Sequence, residues 1–341
     1  MNYKDLFYGL CILVFTNLSA CTHEPKENPG DTILKGHINF DFKGPLYLSG
    51  YADSMDQILG RKTVLDTAVI DKKGNYRFVL HACQSCIYDL KTADSLWLSS
   101  LYISPQNKLK IDFNERLKDP VIDTSNMEGR YNDFRVKLTW KFFKENETKQ
   151  FYYIGANYLT LNQFDTFVQG RRKQMHSFYD QYFKGLKPDE EFQKYALAEI
   201  DYQYGIDKMM FLWKHRIKDV DIFPDSSYYK YITSTSYLNN PDAISSQAYA
   251  HYLILYINNI YGEMLAKNHL PTPVHPIAEK YSLACINLEE PFRDIVIANL
   301  IVSDMKPSEY KAISADKLKP VYIALIDWIN QKYPETVSVR R

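Results

Sequence analysis

Apolar residues change their spacing once along this chain, and that change sets its fold class. From Ile33 to about Asp123 apolar and polar residues alternate in short runs: Ile33–Phe40, Pro45–Ala52, Lys62–Asp71, Asn75–His81, Cys86–Ala93, Leu96–Pro105 and Lys108–Asn114. A period of two places successive side chains on opposite faces of a strand. Turn formers separate the runs, at Lys43-Gly44-Pro45, Lys72-Lys73-Gly74-Asn75 and Ser104-Pro105-Gln106-Asn107. Val64–Leu80 has the clearest hairpin pattern, because Gly74 can take the positive φ that a tight turn needs. Seven or eight short strands over residues 33–124 predict an antiparallel β-sandwich-like domain or a small barrel.

Beyond Glu128 the period lengthens to that of helices. Tyr131–Glu147 opens the series. Thr160–Leu186 follows, with Phe164, Phe167, Met175, Phe178 and Phe183 on or near one stripe. Pro188-Asp189-Glu190-Glu191 starts a third helix, since proline suits the first turn and acids favour the helix N-terminus. Ser245 or Ser246 is the natural N-cap of the next. Pro291–Met305 continues the series, and Leu318, Val321, Tyr322, Leu325 and Ile329 mark a last amphipathic helix. The content of 28 Tyr and 18 Phe against 13 Gly suits packed helices. The expected fold class is therefore α+β in two modules: a β domain at 33–124 and a larger all-α domain at 125–334, with a short tail at 335–341.

The first residues predict a location. Lys4, an apolar run from Leu6 to Phe15 and then Leu18-Ser19-Ala20-Cys21 have the form of a secretory signal over residues 1–20. The apolar run is shorter than the roughly 20 residues of a membrane span. Leu18–Cys21 also resembles the lipobox of bacterial lipoproteins, which implies cleavage before Cys21 and lipidation of its thiol. The alternative is an ordinary signal with an incidental cysteine. Residues 21–32 are polar, with Pro25, Pro29 and Gly30, and have the composition of a lipidated tether. The expected site is the bacterial cell envelope, on a membrane through the lipid anchor, with the outer membrane favoured and the body facing periplasm or cell surface. The chain has 41 basic and 41 acidic residues, and losing Lys4 and Asp5 with the signal leaves 40 of each. That balance gives no general attraction for nucleic acid.

Several stretches carry a family resemblance. Gly36–Tyr51, Val64–Phe78, Leu101–Asn114, Phe167–Tyr182 and Asp189–Tyr204, behind a lipobox, resemble the N-terminal β and helical portion of TlpA-like envelope thiol-disulfide reductases. The likeness covers most of the expected mature chain as a pattern. It implies an envelope location and this order of parts. In that family the helical region leads into a thioredoxin-like domain with a Trp-Cys-x-x-Cys site; here the text runs out at Asp327–Arg341, so no family catalytic residue is carried over. One expectation is that this chain is the front part of a longer reductase.

Cys83 and Cys86 have redox-pair spacing. A catalytic pair normally follows a strand and opens a helix whose N-terminus lowers the thiol pKa. Ile87, Tyr88 and Leu90 instead read as strand, which leaves a local disulfide or two small buried residues beside a turn as the alternative to weak redox chemistry. His81 adds a third candidate metal ligand where a structural zinc site needs four. Cys285 reads as core packing. His176, His215 and His251 fall on separate helices, Gly170–Gln174 reads as a solvated basic face, and Asp189–Glu191 as a cap. The Tyr-rich stretches Asp201–Trp213 and Ser226–Leu238 either fill the core or line a pocket for a peptide or glycan. The expectation is a non-catalytic binding or accessory lipoprotein with no cofactor and no metal, and a protein, peptide or glycan partner. Thiol-disulfide exchange through Cys83 and Cys86 is the competing expectation.

Overall fold

A computed structural model describes residues 30–42, 44–51, 62–80, 85–94, 96–115, 120–144, 159–217, 224, 226–266 and 276–304. The signal segment, Cys21, the tether up to residue 29, His81, Cys83 and the expected helix around Leu318–Ile329 lie outside the described residues.

Eight strands come first: β1 Thr32–His37, β2 Leu46–Gly50, β3 Thr63–Ala68, β4 Asn75–Leu80, β5 Cys86–Thr92, β6 Trp97–Ile103, β7 Lys108–Asp112 and the short β8 Val121–Ile122. They form two four-stranded sheets, ordered β4-β1-β7-β8 and β3-β2-β5-β6. Leu34, Phe78 and Ile111 from one sheet meet Leu48, Leu90 and Leu101 from the other in a single buried core. The seven expected runs thus become seven strands of a sandwich. Two details differ from expectation. β1 and β7 pair in parallel while the other pairs are antiparallel. Val64–Leu80 is not a hairpin: β3 pairs with β2, and β4 pairs with β1 in the opposite sheet. The turn itself is where the sequence places it. Gly74 has φ of 88°, and the Asp71 carboxylate accepts from the Lys73 and Asn75 N–H groups. This turn carries the chain from one sheet to the other.

Eight α-helices follow among the described residues: α1 Met127–Thr139, α2 Leu161–Tyr182, α3 Glu190–Ile217, α4 Ser226–Tyr229, α5 Thr235–Leu238, α6 Gln247–Ala266, α7 Pro276–Asn287 and α8 Phe292–Asp304. Helix α2 starts on a Thr160–Gln163 capping box and buries Phe164, Val168, Arg171, Met175 and Tyr179. Phe167, expected on that stripe, is 39% exposed. Val168 and Arg171 take its place in the buried row, and the Arg171 guanidinium pairs with Asp207 on α3. Asp189 caps α3 by accepting from Phe192 N–H at 2.7 Å, and Ser246 caps α6 by accepting from Tyr249 N–H at 3.1 Å.

The two halves meet along β5 and β6. Ile87 and Tyr102 turn away from the sandwich core and join Tyr131, Phe134, Phe192 and Tyr195 in a second core. Strand β6 is an edge of its sheet, where unpaired backbone groups are a liability. Helix α1 covers that edge with side chains. Asn132 accepts from Tyr102 N–H at 2.8 Å and donates to Tyr102 C=O at 2.7 Å. Glu128 accepts from Ser104 N–H at 2.7 Å, and Arg135 donates to Ser100 C=O at 2.8 Å. Residues 128, 132 and 135 lie on one helix face, so their spacing matches alternate residues of an adjoining strand.

Candidate functional site: a cleft walled by tyrosines

Between α3 and α6 the described residues form an irregular stretch, in which the short α4, α5 and a 3₁₀ turn at Pro241–Ala243 are the regular elements. Such a stretch leaves backbone carbonyls without ladder partners, and buried ones must find others. Buried tyrosines from the flanking long helices supply them. Tyr202 donates to Tyr237 C=O at 2.6 Å, Tyr249 to Leu238 C=O at 2.7 Å, and Tyr252 to Ile232 C=O at 2.6 Å. In the reverse direction Tyr237 donates to Asp201 C=O at 2.6 Å. Burial pushes the phenols of Tyr202, Tyr237, Tyr249 and Tyr252 upward, so all four stay protonated donors. Gly205 permits this packing: a Cβ there would lie 2.6 Å from the Tyr237 hydroxyl and 2.8 Å from the Tyr252 ring.

The pinned stretch and α3 enclose a cleft of about 260 Å³. Lys194, Asp201 and Tyr202 line it from α3, and Tyr231, Ser234, Ser236, Tyr237, Asn240 and Asp242 from the irregular stretch. Tyr231 is 44% exposed, whereas Tyr202 and Tyr237 form the buried floor. The volume is a little below the roughly 300 Å³ at which small-molecule pockets begin, which suits one end or a short length of a longer ligand.

Charges at the cleft are paired. Asp201 Oδ1 accepts from Arg172 Nε and bonds His176 Nε2, each at 2.7 Å. Burial pushes the Asp201 carboxyl up, but the His176 and Arg172 hydrogen bonds outweigh it and hold the carboxyl below the ordinary range. Arg172 also donates to the Tyr231 hydroxyl at 2.6 Å and stacks 4.6 Å from its ring centroid. Lys194 Nζ lies 2.7 Å from Glu190 and 3.0 Å from Asp242. The Gly170–Gln174 cluster is a solvated face only in part: Lys173 and Gln174 are exposed, whereas Arg171 is buried against Asp207 and Arg172 orders the cleft wall. Their partners lie on α3, out of reach of any local pattern. The two Tyr-rich stretches both fill the core and line the cleft.

Cys86 carries a free thiol within β5. It borders a second, narrow cavity of about 10 Å³ at the seam between the sandwich and helices α3 and α6, beside Tyr51, Tyr102, Glu191 and Gln247. Burial pushes this thiol up, against the lesser downward pulls of the Ile87 backbone and the Lys62 ammonium. An activated thiol shows the opposite shift. Cys285, on α7, is likewise raised by burial. His215 bonds the Phe211 carbonyl within α3, and the described residues hold no group of three or more metal-capable side chains. No helix among them is long and apolar enough to cross a membrane.

No protein-family model matches this chain, and no match is found among curated proteins or solved structures.

Proposed function

We propose that the chain is a non-catalytic binding or accessory lipoprotein of the bacterial envelope, anchored through Cys21, with the tyrosine-walled cleft as its ligand site. The resemblance to the front part of TlpA-like reductases supports the location and the order of modules. One observation carries the binding role: the cleft wall is irregular backbone held in place by buried tyrosine hydroxyls. A wall ordered before the ligand arrives spares the entropy of ordering it on binding.

The test is a titration of the purified full chain with short peptides and oligosaccharides, followed by calorimetry and by thermal shift. Saturable binding by one of these classes, weakened by Tyr231→Ala with the melting temperature retained, is the expected result. Reduction of insulin by the chain, abolished in Cys83→Ser, would overturn it. Labelling by a fatty-acid probe that is lost in Cys21→Ser tests the anchor.

A further inference from the structure

The cleft's chemistry narrows its ligand, on the footing that it is the binding site. Each lining charge already has a partner: Lys194 lies between Glu190 and Asp242, and Asp201 lies between Arg172 and His176. A strongly charged ligand would have to break one of these pairs, at the cost of leaving the other member without its counter-charge. What remains is a mixed set of hydrogen-bonding sites that includes two carboxylate oxygens. The two contacts of the Asp201 carboxylate and the one contact of the Asp242 carboxylate run through Oδ1, and the second oxygen of each makes no hydrogen bond to a described residue. Among the described residues the Ser236 hydroxyl has only a 3.5 Å contact with Ser234. Tyr231 accepts from Arg172 and keeps its own proton to donate. Asn240 Oδ1 caps Asp242 N–H and one Nδ2 hydrogen goes to the Tyr202 hydroxyl, which leaves the second Nδ2 hydrogen as a donor.

Carboxylate oxygens beside hydroxyl and amide donors call for ligand groups that both donate and accept, and paired charges call for a neutral ligand. A peptide backbone splits the two functions between separate N–H and C=O groups. A sugar hydroxyl donates one hydrogen and accepts through its oxygen without charge, and a pyranose ring presents a C–H face to the exposed part of Tyr231. From this we infer that the cleft binds a neutral carbohydrate, with Tyr231 as the platform and the Asp201 and Asp242 carboxylates as hydroxyl acceptors.

The purified full chain is titrated with three probe sets: neutral oligosaccharides built on glucose, mannose and N-acetylglucosamine, neutral tetrapeptides, and spermidine. Saturable binding of a neutral oligosaccharide is expected, weakened about tenfold or more by Tyr231→Ala. Tyr231→Phe keeps the ring and should stay within a few-fold of the parent. Because screening acts on charge, affinity should change no more than about twofold from low to high salt. Asp242→Ala should also weaken binding, and an unchanged melting temperature in each variant excludes misfolding. Tyr231-dependent binding of tetrapeptides alone overturns the carbohydrate inference while leaving the cleft as a binding site. Salt-sensitive binding of spermidine alone does the same, in favour of a cationic ligand. No binding by any probe overturns both.

Discussion

Glu128 keeps one carboxylate oxygen on the Ser104 N–H, while Oε2 is buried without a hydrogen-bond partner among the described residues. Burial raises its pKa to about 7, opposed by the Ser104 hydrogen bonds and reinforced by the Asp189 and Glu191 charges. The unfolded value is near the ordinary 4.5. Between these two values the folded state binds more proton than the unfolded one, so stability falls as pH rises through that window and levels off above it. Glu128→Gln keeps the acceptor for Ser104 and removes the titration. It should therefore gain on the order of 2 kcal/mol over the parent at pH 8, with little difference at pH 4; denaturant unfolding at both pH values checks this. Cys86 makes a second residue-level prediction. With Cys11, Cys21, Cys83 and Cys285 changed to serine, iodoacetamide should label the native chain far more slowly at pH 7.5 than the urea-unfolded chain, because burial holds the thiol protonated and covered.

Asn132 satisfies both backbone groups of Tyr102, so Asn132→Ala should cost about 2–3 kcal/mol by leaving a buried N–H and C=O unpaired. Denaturant midpoints measure it, and Asn132→Asp should recover part of the loss at low pH, where the protonated carboxyl can accept from the Tyr102 N–H and donate to its C=O. In the helical half, Tyr252→Phe removes the donor to Ile232 C=O and should cost about 1–2 kcal/mol. Gly205→Ala should destabilise despite alanine's better helix propensity, since its methyl would meet the Tyr237 hydroxyl and the Tyr252 ring. These elements show where sequence pattern carries information. Period-two runs located β1 to β7 because alternation reports a face, and Gly74 located the turn because it reports a backbone angle. Neither reports a partner strand, so the β3–β4 hairpin failed and the parallel β1–β7 pair went unseen. The cleft was half legible for the same reason. Tyrosine-rich stretches pointed to a pocket wall, but Arg171 and Arg172 looked like a solvated face because Asp207 and Asp201 reach them from another helix.

Across the whole molecule, the sandwich and the helices share a core. Tyr102 packs its ring 5.1 Å from Phe192 and 5.0 Å from Tyr195, measured between centroids, and Gln247 donates to the Tyr51 hydroxyl at 2.8 Å. A sheet that packs apolar side chains on both faces has no face to give to water. Circular dichroism and tyrosine fluorescence should accordingly report one coincident unfolding transition for both halves. Two separated transitions would mean that the shared core is too weak to couple them. The edge of β6 has a further consequence in time. Synthesis runs from the N-terminus, and the eight strands are all present in the chain once Ile122 has emerged. The groups that close the β6 edge belong to Met127–Thr139, which follows. For that interval the nascent sandwich carries an open strand able to pair with another chain. The sooner α1 forms, the shorter that exposure.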